Sequence, residues 1–253
     1  MKFIGIIPAR YASTRFPAKP LALLGGKTVI QRVYEQVKTI LDDAIVATDH
    51  KAIFNAVEAF GGKAIMTSQA HRSGTDRCWE AYTKVGQRYD VIINIQGDEP
   101  FIQASQLETI KACFTDSATE IATLVKPYTK DDGIEALLNP NSPKVVLTKD
   151  RFALYFSRSI IPYCRGVEPQ NWLEEAGPFY KHIGIYAYRA EVLKRITSLP
   201  ISSLEKMESL EQLRWLENGL RIKVGISDVE TIGIDTPEDL KRAEGFLQLK
   251  ALL

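Results

Sequence analysis

Three groups of residues in this chain have the types and spacing needed to hold a charged ligand. The first is Pro8-Ala9-Arg10-Tyr11-Ala12-Ser13-Thr14-Arg15-Phe16-Pro17-Ala18-Lys19-Pro20, which follows the apolar run FIGIIP (3–8). It carries three cations, two hydroxyls and no acid. Small residues let backbone N–H groups approach phosphate oxygens, and Arg and Lys neutralise their charge. The loop lacks both G-x-x-x-x-G-K-[ST] and G-x-G-x-x-G, so it is neither a P-loop nor a dinucleotide fingerprint. The bland alternative is a solvated basic loop.

The second group is Gln96-Gly97-Asp98-Glu99-Pro100, at the end of the apolar run VIINIQ (91–96). Acids at such a place are costly unless solvated, paired or bound to a cation. The third is Gly233-Ile234-Asp235-Thr236-Pro237-Glu238-Asp239, where Asp235 precedes a helix start. An ordinary Asp-rich turn and a helix-capping acid are the competing readings. Magnesium takes a few carboxylates together with phosphate oxygens, so Asp98 and Asp235 are candidate ligands for one or two ions beside a triphosphate.

The charge distribution supports an anion at the start of the chain. Lys2, Arg10, Arg15, Lys19, Lys27 and Arg32 all precede the first acid, Glu35, in a chain whose formal net charge is only +1. That balance argues against a dedicated nucleic-acid binder. Cys78, Cys113 and Cys164 are widely spaced and odd in number, and His50, His71 and His182 show no metal-ligand spacing. A disulfide framework and a zinc site are therefore not expected, and a reducing, cytoplasmic setting is. No apolar segment has the length of a signal peptide core or a membrane span.

The elements that must carry these groups alternate between strand-like and helix-like patterns. Phe3–Pro8, Ala44–Thr48, Lys63–Met66, Val91–Gln96 and Ile121–Val125 read as buried strands. Between them lie helical stretches at 28–41, 51–60, 76–85 and 104–114. Apolar strands alternating with helices indicate a mostly parallel sheet covered on both faces, with ligands beyond the strands' carboxyl ends. The pattern then changes to a hairpin about Lys149-Asp150, an irregular Pro- and Gly-rich stretch and the alternating strand Tyr180–Tyr188. Helices near 190–198 and 207–218 and a strand at 222–226 follow. A closing helix begins with Thr236 as cap and Pro237 in its first turn. The reading is one α/β domain with an inserted β-rich lobe at roughly 129–189.

Eight segments, in order along nearly the whole chain, resemble the 3-deoxy-D-manno-octulosonate (Kdo) cytidylyltransferase family. They are IPARYASTRFPAKPL (7–21), VATDH (46–50), HRSGTDR (71–77), NIQGDEP (94–100), ALYFSRSIIPY (153–163), HIGIYAYR (182–189), LEKMESLEQLRWLENG (204–219) and GIDTPEDL (233–240). The resemblance implies a Rossmann-like, three-layer nucleotidyltransferase fold whose inserted lobe makes a homodimer. It implies the reaction of CTP with Kdo, giving CMP-Kdo and pyrophosphate for lipopolysaccharide biosynthesis, with Mg2+ as cofactor.

Residue by residue, it implies that Arg10, Arg15 and Lys19 contact the triphosphate beside Pro8 and Ala9. Ser73, Gly74 and Thr75 would line the cytosine and ribose pocket, and Asp98 and Asp235 would hold the metal. Gln96, Arg158, His182, Tyr186, Glu211 and Gln212 would bind the acidic sugar. Read without the resemblance, Tyr186 is equally a core residue, Glu211 a helix acid paired to Arg214, and His182 a packed polar group. The stretch 164–179 carries none of the family's motifs. A cytidylyltransferase for a sialic acid or amino-Kdo is an alternative, as is a non-catalytic nucleotide-binding protein on this fold.

Overall fold

The computed structural model describes residues 1–12, 15–175, 177–229 and 233–251. In chain order the elements are β1 (Phe3–Ala9), β2 (Leu23–Leu24), β3 (Lys27–Thr28), α1 (Val29–Lys38), β4 (Asp43–Thr48), α2 (Lys51–Ala59), β5 (Ala64–Met66), α3 (Gly74–Thr83) and β6 (Val91–Asn94). There follow α4 (Ala104–Ala112), β7 (Ile121–Pro127), α5 (Gly133–Leu138), β8 (Lys144–Leu147), β9 (Ala153–Ser157) and α6 (Trp172–Glu175). The last are β10 (Tyr180–Arg189), α7 (Ala190–Thr197), α8 (Ser203–Glu208), α9 (Glu211–Glu217), β11 (Ile222–Ile226) and α10 (Pro237–Ala251). The α/β class and largely parallel sheet are those expected from the sequence.

The chain forms two compact units. The first comprises Met1–Leu107, Arg189–Thr197 and Thr231–Leu253, and the second Glu108–Tyr188 and Ser198–Glu230. In the first, β1 lies between β6 and β4, and β5 follows β4, each of these pairings parallel, while the short β2 and β3 pair antiparallel. Ile4, Ile6, Ile7, Val46, Ile92 and Ile93 have no exposed surface, as strands covered on both faces require. Because the pairing is parallel, β1, β4 and β6 deliver their carboxyl ends to one edge. The loops that start at Arg10, Asp49 and Ile95 leave from that edge.

Two helix starts in this unit are written in the sequence. Thr28 caps α1, its hydroxyl accepting from Gln31 N at 3.2 Å, and Ser73 caps α3, accepting from Asp76 N at 3.1 Å. Such caps are each worth about 1 kcal/mol.

In the second unit, β7 pairs in parallel with β11 and antiparallel with β10, while β8 pairs with β10 and β9. The single helix expected over 207–218 is instead two. Ser209 adopts a left-handed conformation (φ 51°, ψ 47°), and Leu210 N closes back on the Glu205 carbonyl at 3.3 Å. The break has a tertiary cause. Glu208 is drawn to β9, its carboxylate accepting from Ser157 Oγ at 2.6 Å and Arg158 N at 2.9 Å.

Candidate nucleotide and acceptor sites

The loop edge of the first unit encloses a cavity. Pro8, Ala9, Arg10, Arg15, Lys19 and Pro20 form one wall. His71, Arg72, Ser73, Gly74 and Arg77 form another, and Gln96, Gly97, Asp98 and Asp235 close it. Five permanent cations face two carboxylates, so the cavity is suited to an anion. Ser73 and Gly74 place the N-terminus of α3 in the wall, where the helix dipole favours negative charge. Thr75 is buried in the first turn of that helix and is not part of the lining. Ser13 and Thr14, the two hydroxyls of the cationic loop, lie outside the described residues.

Gly97 is where the loop after β6 passes closest to β1. A Cβ there would stand 2.7 Å from the Pro8 carbonyl, so any side chain would displace the cavity wall.

Lys19 sits at the centre of the charge arrangement. The turn Lys19–Leu21, with Pro20 buried, aims its ammonium inward. Nζ lies 2.5 Å from Asp98 Oδ2 and 3.2 Å from Asp235 Oδ1. Arg15 meets Asp235 Oδ1 at 3.2 Å on the exposed rim. Ile234 N donates to the Asp98 carbonyl at 2.9 Å, which ties the two acidic loops together. The second loop is then fixed by the helix it starts. Asp239 accepts from Asp235 N (3.0 Å) and Thr236 N (2.9 Å), and its own N–H donates to Thr236 Oγ1 at 3.2 Å.

Two carboxylates separated by 137 positions thus converge on one positive point. That is the donor set a magnesium ion uses when phosphate oxygens and water complete its shell, so the residues fit such an ion. The neighbouring Glu99 has its carboxyl pushed up to about 8 by burial and by the charge of Asp98.

Four further residues of this region were not singled out from the sequence. Arg72 and Arg77 flank the quoted Ser73-Gly74-Thr75 within HRSGTDR, so extra cations beside a candidate phosphate loop were the signal available. Arg77 is buried and donates to Thr67 Oγ1 (2.6 Å) and Asp49 Oδ2 (2.8 Å). His71 is held by Glu80, whose carboxylate also accepts from Ser68 N and Lys84 Nζ. Burial alone would raise the Glu80 pKa, but these bonds bring it down to about 2.

Gln96 lines the first unit's cavity. The other residues that the resemblance assigns to the sugar, Arg158, His182, Tyr186, Glu211 and Gln212, all belong to the second unit. There, His182 and Tyr186 lie on β10 with ring centroids 5.2 Å apart, and the Trp215 ring stands edge-on to Tyr186 at 5.0 Å. Thr123 donates its hydroxyl to the Ile185 carbonyl at 2.8 Å, so it accepts the His182 Nε2–H at 3.0 Å. Burial lowers the His182 pKa to about 3 and raises that of Tyr186. Both are neutral near pH 7.

Gln212 Nε2 and Trp215 Nε1 are buried without a hydrogen-bond partner among the described residues. Buried polar atoms are normally satisfied, so such orphans point to a bound group or water. Glu211 pairs with Arg214 at 2.7 Å. Arg158 donates to the carbonyls of Pro140 (2.9 Å), Glu208 (2.6 Å) and Ser209 (3.3 Å), leaving two of its five N–H groups.

A parallel sheet with a cation-lined cavity at its carboxyl edge, a helix N-terminus in the wall and two converging carboxylates defines the class of nucleotide-handling α/β proteins. The chain belongs to the cytidylyltransferase family, which it matches over residues 4–222. It is 74% identical over 98% of both chains to a 3-deoxy-manno-octulosonate cytidylyltransferase of Phocaeicola vulgatus. It is 71% identical, over 98% of this chain and 99% of the other, to a protein of the same description from Bacteroides thetaiotaomicron. Among solved structures, it is similar to a CMP:2-keto-3-deoxy-manno-octonic acid synthetase complexed with CTP. That match has a TM-score of 0.90 and 41% identity, and covers 99% of this chain and 100% of the other.

Proposed function

We propose that the protein activates Kdo, joining it to CTP to give CMP-Kdo and pyrophosphate. The observation that carries this reading is the placement of Lys19 between Asp98 and Asp235 in the wall of the cation-lined cavity. The acceptor is drawn from the relatives above, whose shared description names this sugar.

In the reaction, the anomeric hydroxyl of Kdo attacks the α-phosphorus of CTP. The new O–P bond forms as the bond to pyrophosphate breaks, and the hydroxyl's proton passes to solvent water. No covalent enzyme intermediate is needed, so the protein's part is positioning and charge stabilisation. Arg10 and Arg15 hold the phosphates, and Ser73 and Gly74 at the α3 N-terminus border the nucleoside. Lys19 follows the charge onto the leaving pyrophosphate. Asp98 and Asp235 would hold Mg2+, which would supply positive charge against the charge that develops on the phosphate groups.

In the second unit, the two remaining N–H groups of Arg158 suit the sugar carboxylate. Neutral His182 offers Nδ1 as an acceptor, because its Nε2–H is given to Thr123. The Gln212 Nε2 orphan gains a hydroxyl partner. The protein works in the cytoplasm, consistent with its cysteine spacing; among the described residues no helix is long and apolar enough to cross a membrane. It functions as a homodimer, consistent with the exposed Leu154, Tyr163 and Met207 of the second unit. Light scattering tests that state.

The deciding experiment is a coupled pyrophosphate assay that crosses four nucleoside triphosphates with Kdo, amino-Kdo and a sialic acid. Release is expected with CTP, Mg2+ and Kdo together, and is lost on adding EDTA. No release from folded protein would sink the reading, and preferential release with another sugar would reassign the acceptor.

A further inference from the structure

The VATDH segment (46–50) has no role in the mechanism above, yet its last two residues reach both walls of the cavity. Asp49 takes the buried Arg77 of α3. His50 turns the other way. Its Nδ1 caps α2 by accepting from Ala52 N at 3.2 Å, so the ring is fixed and carries its proton on Nε2. Against that ring lies Tyr11, with centroids 4.0 Å apart and planes inclined by 19°. The sheet register explains the meeting. The last pair of β1 and β4 is Ala9 with Thr48, and Tyr11 and His50 each lie two residues beyond it.

Tyr11 is also the stem of the cationic loop. Its carbonyl accepts from Ala18 N at 3.0 Å, with Ala18 in a left-handed conformation (φ 56°, ψ 21°). This closes a ring of chain that contains Arg15 and is followed directly by Lys19. On the far side of the ring Phe16 packs against the cluster of Leu24, Val29 and Phe101, and Arg15 reaches Asp235. The stack anchors the other side, tying Tyr11 to the fixed imidazole on β4's carboxyl end.

We propose that the Tyr11–His50 stack is the post that holds the cationic loop against the nucleotide, making both residues positioning residues for CTP. This rests on the CTP reading above. A stacked pair of this kind corresponds to roughly a threefold to tenfold change in an equilibrium. The loop meets the triphosphate on binding, so loss of the stack falls on the KM for CTP. It spares kcat, because Lys19, Asp98 and Asp235 are held by their own turns and ion pairs.

The test uses the full-length enzyme with saturating Kdo and varied CTP. Wild-type turnover with CTP is measured first, and its absence would count against the functional reading and not against the stack. Tyr11→Ala and His50→Asn are each expected to raise the KM for CTP roughly threefold to tenfold, with kcat within about twofold. Asparagine is a good helix cap, so His50→Asn removes the ring while keeping α2 capped, and its melting temperature stays near that of wild type. Tyr11→Phe keeps the ring and restores the wild-type KM. The double variant is no worse than either single one. A normal KM in His50→Asn would show that Tyr11 acts without its partner and overturn the proposal. So would additive effects in the double variant, or a Tyr11→Phe variant as weak as Tyr11→Ala.

Discussion

The two units gather their polar groups by opposite physical means. In the first, five cations line the cavity against two carboxylates, and its key ammonium lies 2.5 Å from Asp98. In the second, His182, Tyr186 and Gln212 are neutral, and the charged Arg158 and Glu211 are tied to backbone carbonyls and to Arg214. His182 is kept uncharged by burial, and Gln212 and Trp215 keep donors unsatisfied. A triphosphate carries several charges, so many cations raise its affinity. A sugar presents hydroxyls, for which neutral donors and acceptors in a dry place discriminate better than charge does. Charge is cheap to hold at an exposed loop edge, whereas orphaned donors persist only in a scaffold stable enough to carry their cost.

The comparison breaks most easily at Lys19. Lys19→Ala removes the cation shared by Asp98 and Asp235 and the charge that follows the leaving group. Turnover is expected to fall by at least about a hundredfold, the scale for losing one transition-state charge partner. A smaller KM change for the sugar than for CTP, measured in the same steady-state matrix, would keep the two regions distinct. Equal loss for both substrates would merge them.

Acid separates the units by stability. A histidine whose folded pKa is about 3 stays neutral while the unfolded chain, near 6.5, takes up protons. The folded state then binds fewer protons than the unfolded state, so stability falls as pH drops below 6.5. The loss is about 2 kcal/mol at pH 5, and His182→Gln removes it. In the first unit Asp43, like Glu80, is acid-sensitive. Burial would raise its pKa, but Lys63 at 2.6 Å and Lys38 at 2.9 Å lower it to about 2. Its contribution is complete above 3.8 and disappears as pH falls toward 2, so Asp43→Asn lowers stability at all pH above 3.8 and flattens the pH dependence in the lower window. Denaturant titrations from pH 7 to pH 2 check both. An unchanged slope in His182→Gln between pH 6.5 and 4 would contradict the burial argument.

The same contrast governs what could be read from the sequence. The cationic loop, QGDEP and the Asp235 turn were legible because charge without acids, or acids after an apolar run, is a local pattern with few packing uses. The helix start at Thr236 was legible because a cap is local chemistry, whereas the α3 start was placed at 76 and its Ser73 cap was missed. The break at Ser209 was not, since it depends on Glu208 reaching Ser157 and Arg158 some 50 positions away. Arg77, Asp49 and Glu80 escaped for the same reason: each supports the cavity through a partner that only the fold brings near. The second unit was the least legible. His182, Tyr186 and Gln212 look like core residues to any periodicity argument, and only the resemblance to a family picked them out.

Gln212 gives the subtlest test of the contrast, because function and stability should move in opposite directions there. Its buried Nε2 has no hydrogen-bond partner among the described residues, a cost of about 1 kcal/mol or more. Gln212→Leu replaces the amide with an apolar group of similar length and removes that cost. The variant is expected to melt higher than wild type while its KM for Kdo rises about tenfold, the value of one hydrogen bond to a substrate hydroxyl. The KM for CTP stays put, because the cavity of the first unit is untouched. Thermal melts and initial rates on one preparation measure both effects. A variant that melts lower would mean that Gln212 is satisfied in the folded protein, and the second unit would then be an ordinary packed core at that position.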